Sequence, residues 1–254
     1  MSFEKSGRGA HVFIHGFGGY RGLWKAQEEY FGTVGRAIAV DLPGHGASVW
    51  KGETLRAMAH GVAQTLDALA IRQGAFVASS FGGLVALELW QIRPDLFRSM
   101  TLVGAVPCFT AAERIPAGLS VERIHALGLQ LEGDTAAVLD MFFRSLFTRR
   151  EREDPFYAVV RQCQKRIPVP SKEALHAFLN ILASADLRDV LACVRVPVQL
   201  VWGDGDYICP EALMAPLKEL CPAVRMDVMP GCGHLPFLSS PVEFNKRVKE
   251  FTGI

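Results

Sequence analysis

The sequence predicts an α/β fold, a mostly parallel central sheet flanked by helices and carrying an inserted helical lid. Three observations point there. Short apolar runs of strand length alternate with helix-length amphipathic segments, and each interval is long enough to hold a crossover. A strand, a serine-bearing turn and a helix follow one another across residues 75–91. The strand rhythm then stops after Pro107 and resumes only at Val198, and an inserted helical subdomain explains that gap better than a structureless loop.

Taken in order, residues 11–14 form the first strand, which runs into His15-Gly16-Phe17-Gly18-Gly19. Glycines there allow a tight turn and leave N–H groups open to a ligand. Residues 23–31 read as a short helix, and 37–40 as a second strand ending in the turn-rich stretch 41–48. The segment 54–69 sets Leu55, Met58, Ala59, Val62, Leu66 and Leu69 on one helical face. The strand 75–78, its turn and the helix 84–91 come next, closed by Pro94, and 100–103 is the fourth strand. Helices are expected at 120–130, 134–147, 155–165 and 172–185, strands at 198–202 and 224–228, and a last helix at 241–251. This divides the chain into a core, 1–109 with 190–254, and a lid, 110–189. Residues 1–10 precede the first strand and are short for an edge strand.

At 254 residues, 50% apolar and 21% charged, the chain has the length and composition of a compact domain with a substantial core. A formal net charge of +1 gives no global attraction to nucleic acid. The six cysteines are scattered and form no Cys-x-x-Cys pair. Residues 1–9 carry no apolar core of a signal peptide, and no apolar run reaches membrane-span length. A cytoplasmic monomer with no membrane or nucleic-acid partner is the expectation.

The turn at Val77-Ala78-Ser79-Ser80-Phe81-Gly82-Gly83 has the strand–turn–helix setting of a nucleophile elbow. Ser80 is the expected nucleophile, because Ala78 and Gly82 flank it at the two positions that must be small. Ser79 would place Val77 and Phe81 there, and both are too large. Two later strand ends carry its partners. Residues 198–202 lead into Gly203-Asp204-Gly205-Asp206, and 224–228 into Gly231-Cys232-Gly233-His234. In a parallel sheet these loops share one edge with Ser80. Asp206 is preferred to Asp204 because it lies farther along the loop, just before a turn whose Pro210 opens the next helix. A hydroxyl needs a base to take its proton, and that imidazole needs a carboxylate to fix its tautomer. The order Ser80, Asp206, His234 is that of the α/β-hydrolase triad. The backbone N–H groups of Phe17 and Phe81 are the expected donors to the developing oxyanion. His15 and His45 have no companions that would complete a zinc site, and the glycine loop lacks the Lys-Ser/Thr of a phosphate-binding loop. No cofactor or metal is expected.

His15-Gly16-Phe17-Gly18, residues 41–48, Ser80-Phe81-Gly82-Gly83, residues 203–206 and Gly233-His234 together resemble the α/β-hydrolase superfamily. Residues 103–109, 185–188 and 233–238 are similar to the pimeloyl-[acyl-carrier protein] methyl ester carboxylesterases of biotin synthesis. That resemblance implies hydrolysis of a carrier-bound methyl ester by Ser80, Asp206 and His234, with Phe17 and Phe81 as oxyanion donors. Ala78 stands where the family usually has glycine.

The lid carries a basic run. Between residues 144 and 172, Arg144, Arg149, Arg150, Arg152, Arg161, Lys165, Arg166 and Lys172 face only Glu151, Glu153 and Asp154, a local excess of +5. The first seven of these cations are candidate contacts for an acidic acyl-carrier protein, which the resemblance implies as partner and an opposite field would steer. Met141, Phe142, Phe143, Leu146 and Phe147 occupy more than one helical face, and Phe143 is the expected wall residue of a channel for a methylene chain. Rival readings are a general short-chain carboxylesterase, a carbon–carbon bond hydrolase, or a ligand receptor that keeps the triad for binding.

Overall fold

The computed structural model describes residues 9–111, 117–166 and 168–253. β1 (Ala10–Ile14) is buried at every residue, as a strand covered on both faces must be. A 3-10 turn (Arg21–Trp24) and α1 (Lys25–Gly32) return the chain to β2 (Arg36–Val40). α2 (Leu55–Ala68) begins at Thr54, whose side chain accepts the Ala57 N–H, and buries Met58, Ala59, Val62 and Leu66 of the face read from its sequence, while Leu55 is half-buried and Leu69, just past the helix, is exposed. β3 (Gly74–Ser79), α3 (Phe81–Ile92) and β4 (Phe97–Val103) follow.

The insertion holds α4 (Val121–Leu131), α5 (Thr135–Ser145), α6 (Arg149–Glu153), α7 (Pro155–Gln164), α8 (Lys172–Ser184) and α9 (Arg188–Cys193). α4 packs on α5 and α8, α6 on α7, whereas α9 packs on α3 beside the sheet. The sheet resumes with β5 (Val198–Gly203), then α10 (Met214–Leu220), β6 (Arg225–Met229), α11 (Pro236–Ser239) and α12 (Pro241–Thr252).

All pairings are parallel, in the order β2-β1-β3-β4-β5-β6. β5 pairs with β4, Met100 opposite Val198, so the insertion leaves and re-enters at adjacent strands. The carboxyl ends of β3, β5 and β6, which carry Ser80, Asp206 and His234, are thereby brought to one edge. The question of an edge strand before β1 falls on residues 1–8, which lie outside the described residues.

Two differences from the sequence expectation have local causes. β4 starts at Phe97 rather than Met100, because exposed Arg98 interrupts an otherwise buried run. α6, α9, α10 and α11 are too short to establish a helical period in the sequence.

Aromatic packing anchors the last turn of the fold to its beginning. Trp24 stacks on Phe237 of α11 with ring centroids 3.9 Å apart, and Phe244 of α12 closes the cluster. Gln27 of α1 donates to Phe237 O and to Asn245 Oδ1 in the same buried layer. Trp24 is fully buried, so Trp24→Ala should cost about 3–5 kcal/mol, read as a lowered midpoint in urea unfolding.

Candidate active site

Ser80 stands alone between β3 and α3, with φ 52° and ψ −123°. A non-glycine residue in such a region costs about 1–3 kcal/mol and persists only where its surroundings fix it. Here the Ser80 N–H donates to Val103 O at 2.9 Å, and Ser80 O accepts the Gly83 N–H at 2.8 Å. The neighbours are close. A Cβ on Gly82 would lie 2.6 Å from His15 O, and one on Gly16 only 2.9 Å from Ser80 Cβ. Ser79 is buried within β3, so the structure puts Ser80, not Ser79, at the tip. Ala78 is fully buried and sits in register with Ile14 and Leu102, its methyl group accommodated in the sheet.

Asp206 and His234 meet beyond the neighbouring strands. His234 Nδ1 donates to Asp206 Oδ2 at 2.7 Å, and both residues are buried. Asp206 Oδ1 accepts the N–H groups of Ile208 at 2.8 Å and Cys209 at 3.0 Å. Burial, the largest single influence, pushes the Asp206 carboxyl up. The charge and hydrogen bond of His234, with the two N–H groups, outweigh it and hold the carboxyl below its usual value. Asp204 instead accepts the Gly231 N–H at 2.7 Å and clasps the two loops together. His234 Nε2 is buried and has no hydrogen-bond partner among the described residues. The histidine packs on the residue after Val103, since a Cβ on Gly104 would lie 2.8 Å from His234 Nδ1. Ser80 and His234 therefore flank the same end of β4.

Cys209, which the sequence did not single out, lies against this pair. Its Sγ, Asp206 and His234 place ligand-type atoms within 4.8 Å of one another. Asp206 is already committed to the imidazole, and the thiol donates to Gly104 O at 3.2 Å. Burial, with the Asp206 charge, pushes that thiol well above its ordinary value, so it suits a packed thiol rather than a metal ligand.

The loop carrying Phe17 is held by two buried, neutral histidines. His15 Nδ1 donates to Gly16 O at 2.8 Å, and its Nε2 accepts the Leu42 N–H at 3.0 Å. His45 Nδ1 donates to Pro43 O at 3.1 Å, and its Nε2 accepts the Gly18 N–H at 3.3 Å. The second contact of each ring ties the 15–19 loop to the 41–48 loop. Each ring needs one protonated and one bare nitrogen to do so, hence the neutral form. Neither the Phe17 nor the Phe81 N–H has an acceptor among the described residues. Phe81 is fully buried and stacks on Phe178 of α8 at 4.1 Å.

Above Ser80 lies a cavity of about 190 Å³, lined by Phe17, Phe109, Leu127, Phe142, Leu182 and Tyr207 among others. Arg123 is its cation, set over the Tyr207 ring at 5.9 Å. Phe143 does not line this cavity. It lines a second one of about 230 Å³, with Gln164, Lys165 and Pro168. Phe17 and Phe142 border both, their rings edge-to-face at 5.4 Å. Phe142 is thus the α5 phenylalanine that faces Ser80, while Phe143, the expected channel wall, borders the adjoining second cavity.

The lid cations separate into two groups. Arg161 pairs with Asp140 of α5 and donates to Gln164. Arg152 donates to Arg144 O at 3.2 Å and to Phe147 O, capping the end of α5. These two docking candidates are engaged within the lid itself. Arg149 pairs with Glu153 at 2.8 Å on an exposed face. Arg144, Arg150, Lys165 and Arg166 are exposed, and their side chains make no hydrogen bond or ion pair with the described residues.

A buried Asp–His pair beside a strained serine on a doubly wound parallel sheet defines a hydrolase of the nucleophile-elbow class. Residues 12–247 match the alpha/beta hydrolase family, and the chain belongs to that family. It is 34% identical over 94% of its length to a pimeloyl-[acyl-carrier protein] methyl ester esterase of Yersinia pseudotuberculosis, of which it covers 92%. It is 30% identical over 100% of its length to the enzyme of the same name from Aeromonas hydrophila subsp. hydrophila, of which it covers 99%. Among solved structures, an esterase from Exiguobacterium antarcticum superimposes with a TM-score of 0.87 at 22% identity, over 97% of this chain and 92% of that one. A bromoperoxidase from Bacillus anthracis gives 0.87 at 22% identity, over 98% and 93%. At that identity the likeness concerns the fold. No helix among the described residues is long and apolar enough to cross a membrane.

The buried histidines make stability pH-dependent. Burial lowers His15 to about 4, against the opposing Gly16 hydrogen bond, and lowers His11, on β1, to about 4 with help from Arg98. Burial, then the neighbouring His15, lowers His45 to about 3. In the unfolded chain all three titrate near 6.5. Their neutral burial is therefore fully tolerated above pH 6.5 and opposes folding progressively as pH falls toward 4. Urea unfolding at pH 5.5 should give a stability about 4 kcal/mol below that at pH 7.5 from these three groups together.

Proposed function

We propose that the protein is a serine carboxylesterase that hydrolyses the methyl ester of a pimeloyl-[acyl-carrier protein], releasing methanol. The observation that carries this reading is the 2.7 Å bond between His234 Nδ1 and Asp206 Oδ2, which leaves Nε2 bare at the strand end shared with Ser80. Asp206 fixes the tautomer and supports the imidazolium. His234 Nε2 takes the Ser80 proton as Oγ adds to the ester carbonyl. That contact tightens when substrate enters, as such hydrogen bonds commonly do. The oxyanion is received by the N–H groups of Phe17 and Phe81, both without an acceptor among the described residues and fixed before reaction begins. His234 returns the proton to methoxide, methanol leaves, and water activated by the same nitrogen releases the acid from Ser80.

The carrier-bound substrate is supported by the relatives' names and by the lid, taken as residues 110–189. The cavity above Ser80 adjoins, at Phe17 and Phe142, the second cavity, which reaches Lys165. A methylene chain laid through both has its ester at Ser80 and its carrier-linked end among exposed cations. Arg144, Arg150, Lys165 and Arg166 are the proposed contacts with the acidic carrier. Six free thiols suit a reducing, cytoplasmic setting for a monomer.

The nucleophile is tested by organophosphonate labelling and peptide mapping. The adduct should sit on Ser80, and Ser80→Ala should lose several orders of magnitude in turnover while Ser79→Ala keeps most of it. An adduct on Ser79 or on a cysteine reverses the assignment.

The partner is tested with a triple variant, Arg144→Glu, Lys165→Glu and Arg166→Glu. Its kcat/KM on the carrier-bound ester should fall by about tenfold or more at low salt, and the loss should shrink as ionic strength rises. Turnover of a small free ester should hold. Equal losses on both substrates mean a damaged lid, and no loss on either favours a general esterase.

A further inference from the structure

We infer that Glu151, on the short lid helix α6, is a positioning residue for His234. The sequence Thr148-Arg149-Arg150-Glu151 is a capping box, in which a glutamate three residues into a helix reaches back to the cap. Both halves are present. Thr148 Oγ1 accepts the Glu151 N–H at 3.2 Å, and Glu151 Oε2 accepts the Thr148 N–H at 2.6 Å. The same Oε2 also accepts the N–H of Gly233 at 2.9 Å, and Gly233 immediately precedes His234. A cap has no need of that second bond.

It is one of three that join this corner of the lid to the histidine loop. The His234 N–H donates to Leu146 O at 2.8 Å, and Thr148 Oγ1 contacts Gly231 O at 3.4 Å. The fit is tight on both sides. A Cβ on Gly233 would collide with Leu146 O and lie 3.0 Å from Glu151 Oε2, while one on Gly205, in the Asp206 loop, would collide with the Thr148 methyl. The imidazole is fixed at Nδ1 by Asp206 alone, so the direction of Nε2 depends on where this backbone holds the ring. Releasing Gly233 frees the backbone next to the proposed base, and a displacement of about 1 Å at a reacting group can cost roughly a hundredfold in rate.

This inference rests on the proposed role of His234, and chain length rather than charge at position 151 is its test. Glu151→Asp keeps a carboxylate in the first helical turn but is one methylene too short for Gly233. Glu151→Gln keeps the reach and one accepting oxygen. Each variant, with Glu151→Ala, is assayed on a small free ester, with active sites counted by phosphonate titration and Tm measured in parallel. Glu153→Ala, on the same helix, is the control.

The expected result is a kcat per titrated site lowered by about tenfold to a hundredfold in Glu151→Asp and Glu151→Ala, with KM within about twofold, and near wild type in Glu151→Gln. The downfield proton resonance of the His234–Asp206 bond should shift or broaden in the first two and survive in the third. Should Glu151→Ala fail to fold, the Asp and Gln pair decides. A lowered Tm with unchanged kcat in Glu151→Asp overturns the proposal, leaving Glu151 as a cap alone. Equal losses in Asp and Gln overturn it in favour of a charge effect. Full turnover in His234→Ala overturns it together with the parent assignment, so the two failures are told apart.

Discussion

The closeness of β3 and α3 at the strained serine is the constraint on which the rest of the site depends. With Gly82 pressed against the carbonyls of Ile14 and His15, the first turn of α3 lies directly on the end of β1. That contact sets the Phe81 N–H beside the loop that carries Phe17, so that both N–H groups belong to one small region of backbone. Side-chain entropy plays no part in placing such donors, because backbone held by packing and hydrogen bonds has little freedom left to lose. The backbone strain at Ser80 is sustained by the sheet: its N–H is bonded to Val103 of the next strand, and relaxing it would break a buried hydrogen bond.

The two histidines under the loop that carries Phe17 extend this rigidity by a different means. Each spends both ring nitrogens on backbone groups, and each does so only when neutral. Burial keeps them neutral through the physiological range. The same residue type thus serves two purposes in one molecule: His15 and His45 as fixed struts, and His234 with one nitrogen left unbonded. The difference lies in their partners. Backbone groups on both sides saturate the struts, whereas the carboxylate on His234 leaves its far nitrogen free.

Much of this was legible in the sequence, because parallel strands deliver their loops to one edge. Apolar runs located the strands, small residues at 78 and 82 fixed the register of the serine, and position along the loop favoured Asp206 over Asp204. The lid was less legible, since its roles are set by non-local partners. Nothing in the basic run says that Arg161 is taken by Asp140 or that Arg152 caps α5. Nor does periodicity decide whether Phe142 or Phe143 faces the serine. Glu151 did carry a local signal, the Thr-x-x-Glu spacing of a capping box. Its second acceptor role, at Gly233, appears only when residues 82 positions apart meet.

That meeting also limits what kind of cover the inserted helices are. A cover that swung as a door from the two strand ends where it is attached would pull Leu146 off the His234 N–H and dismantle the histidine loop as it opened. On the proposed reading this corner stays in place as a hinge post, and a substrate reaches Ser80 by way of the cavities that Phe142 and Lys165 border. Exchange of covers between relatives, by recombination or by a protein engineer, is bound by the same geometry. A transplanted α5–α6 corner must arrive with a loop shaped to accept it, so residues 146–151 and 231–234 form one unit of inheritance although the chain separates them.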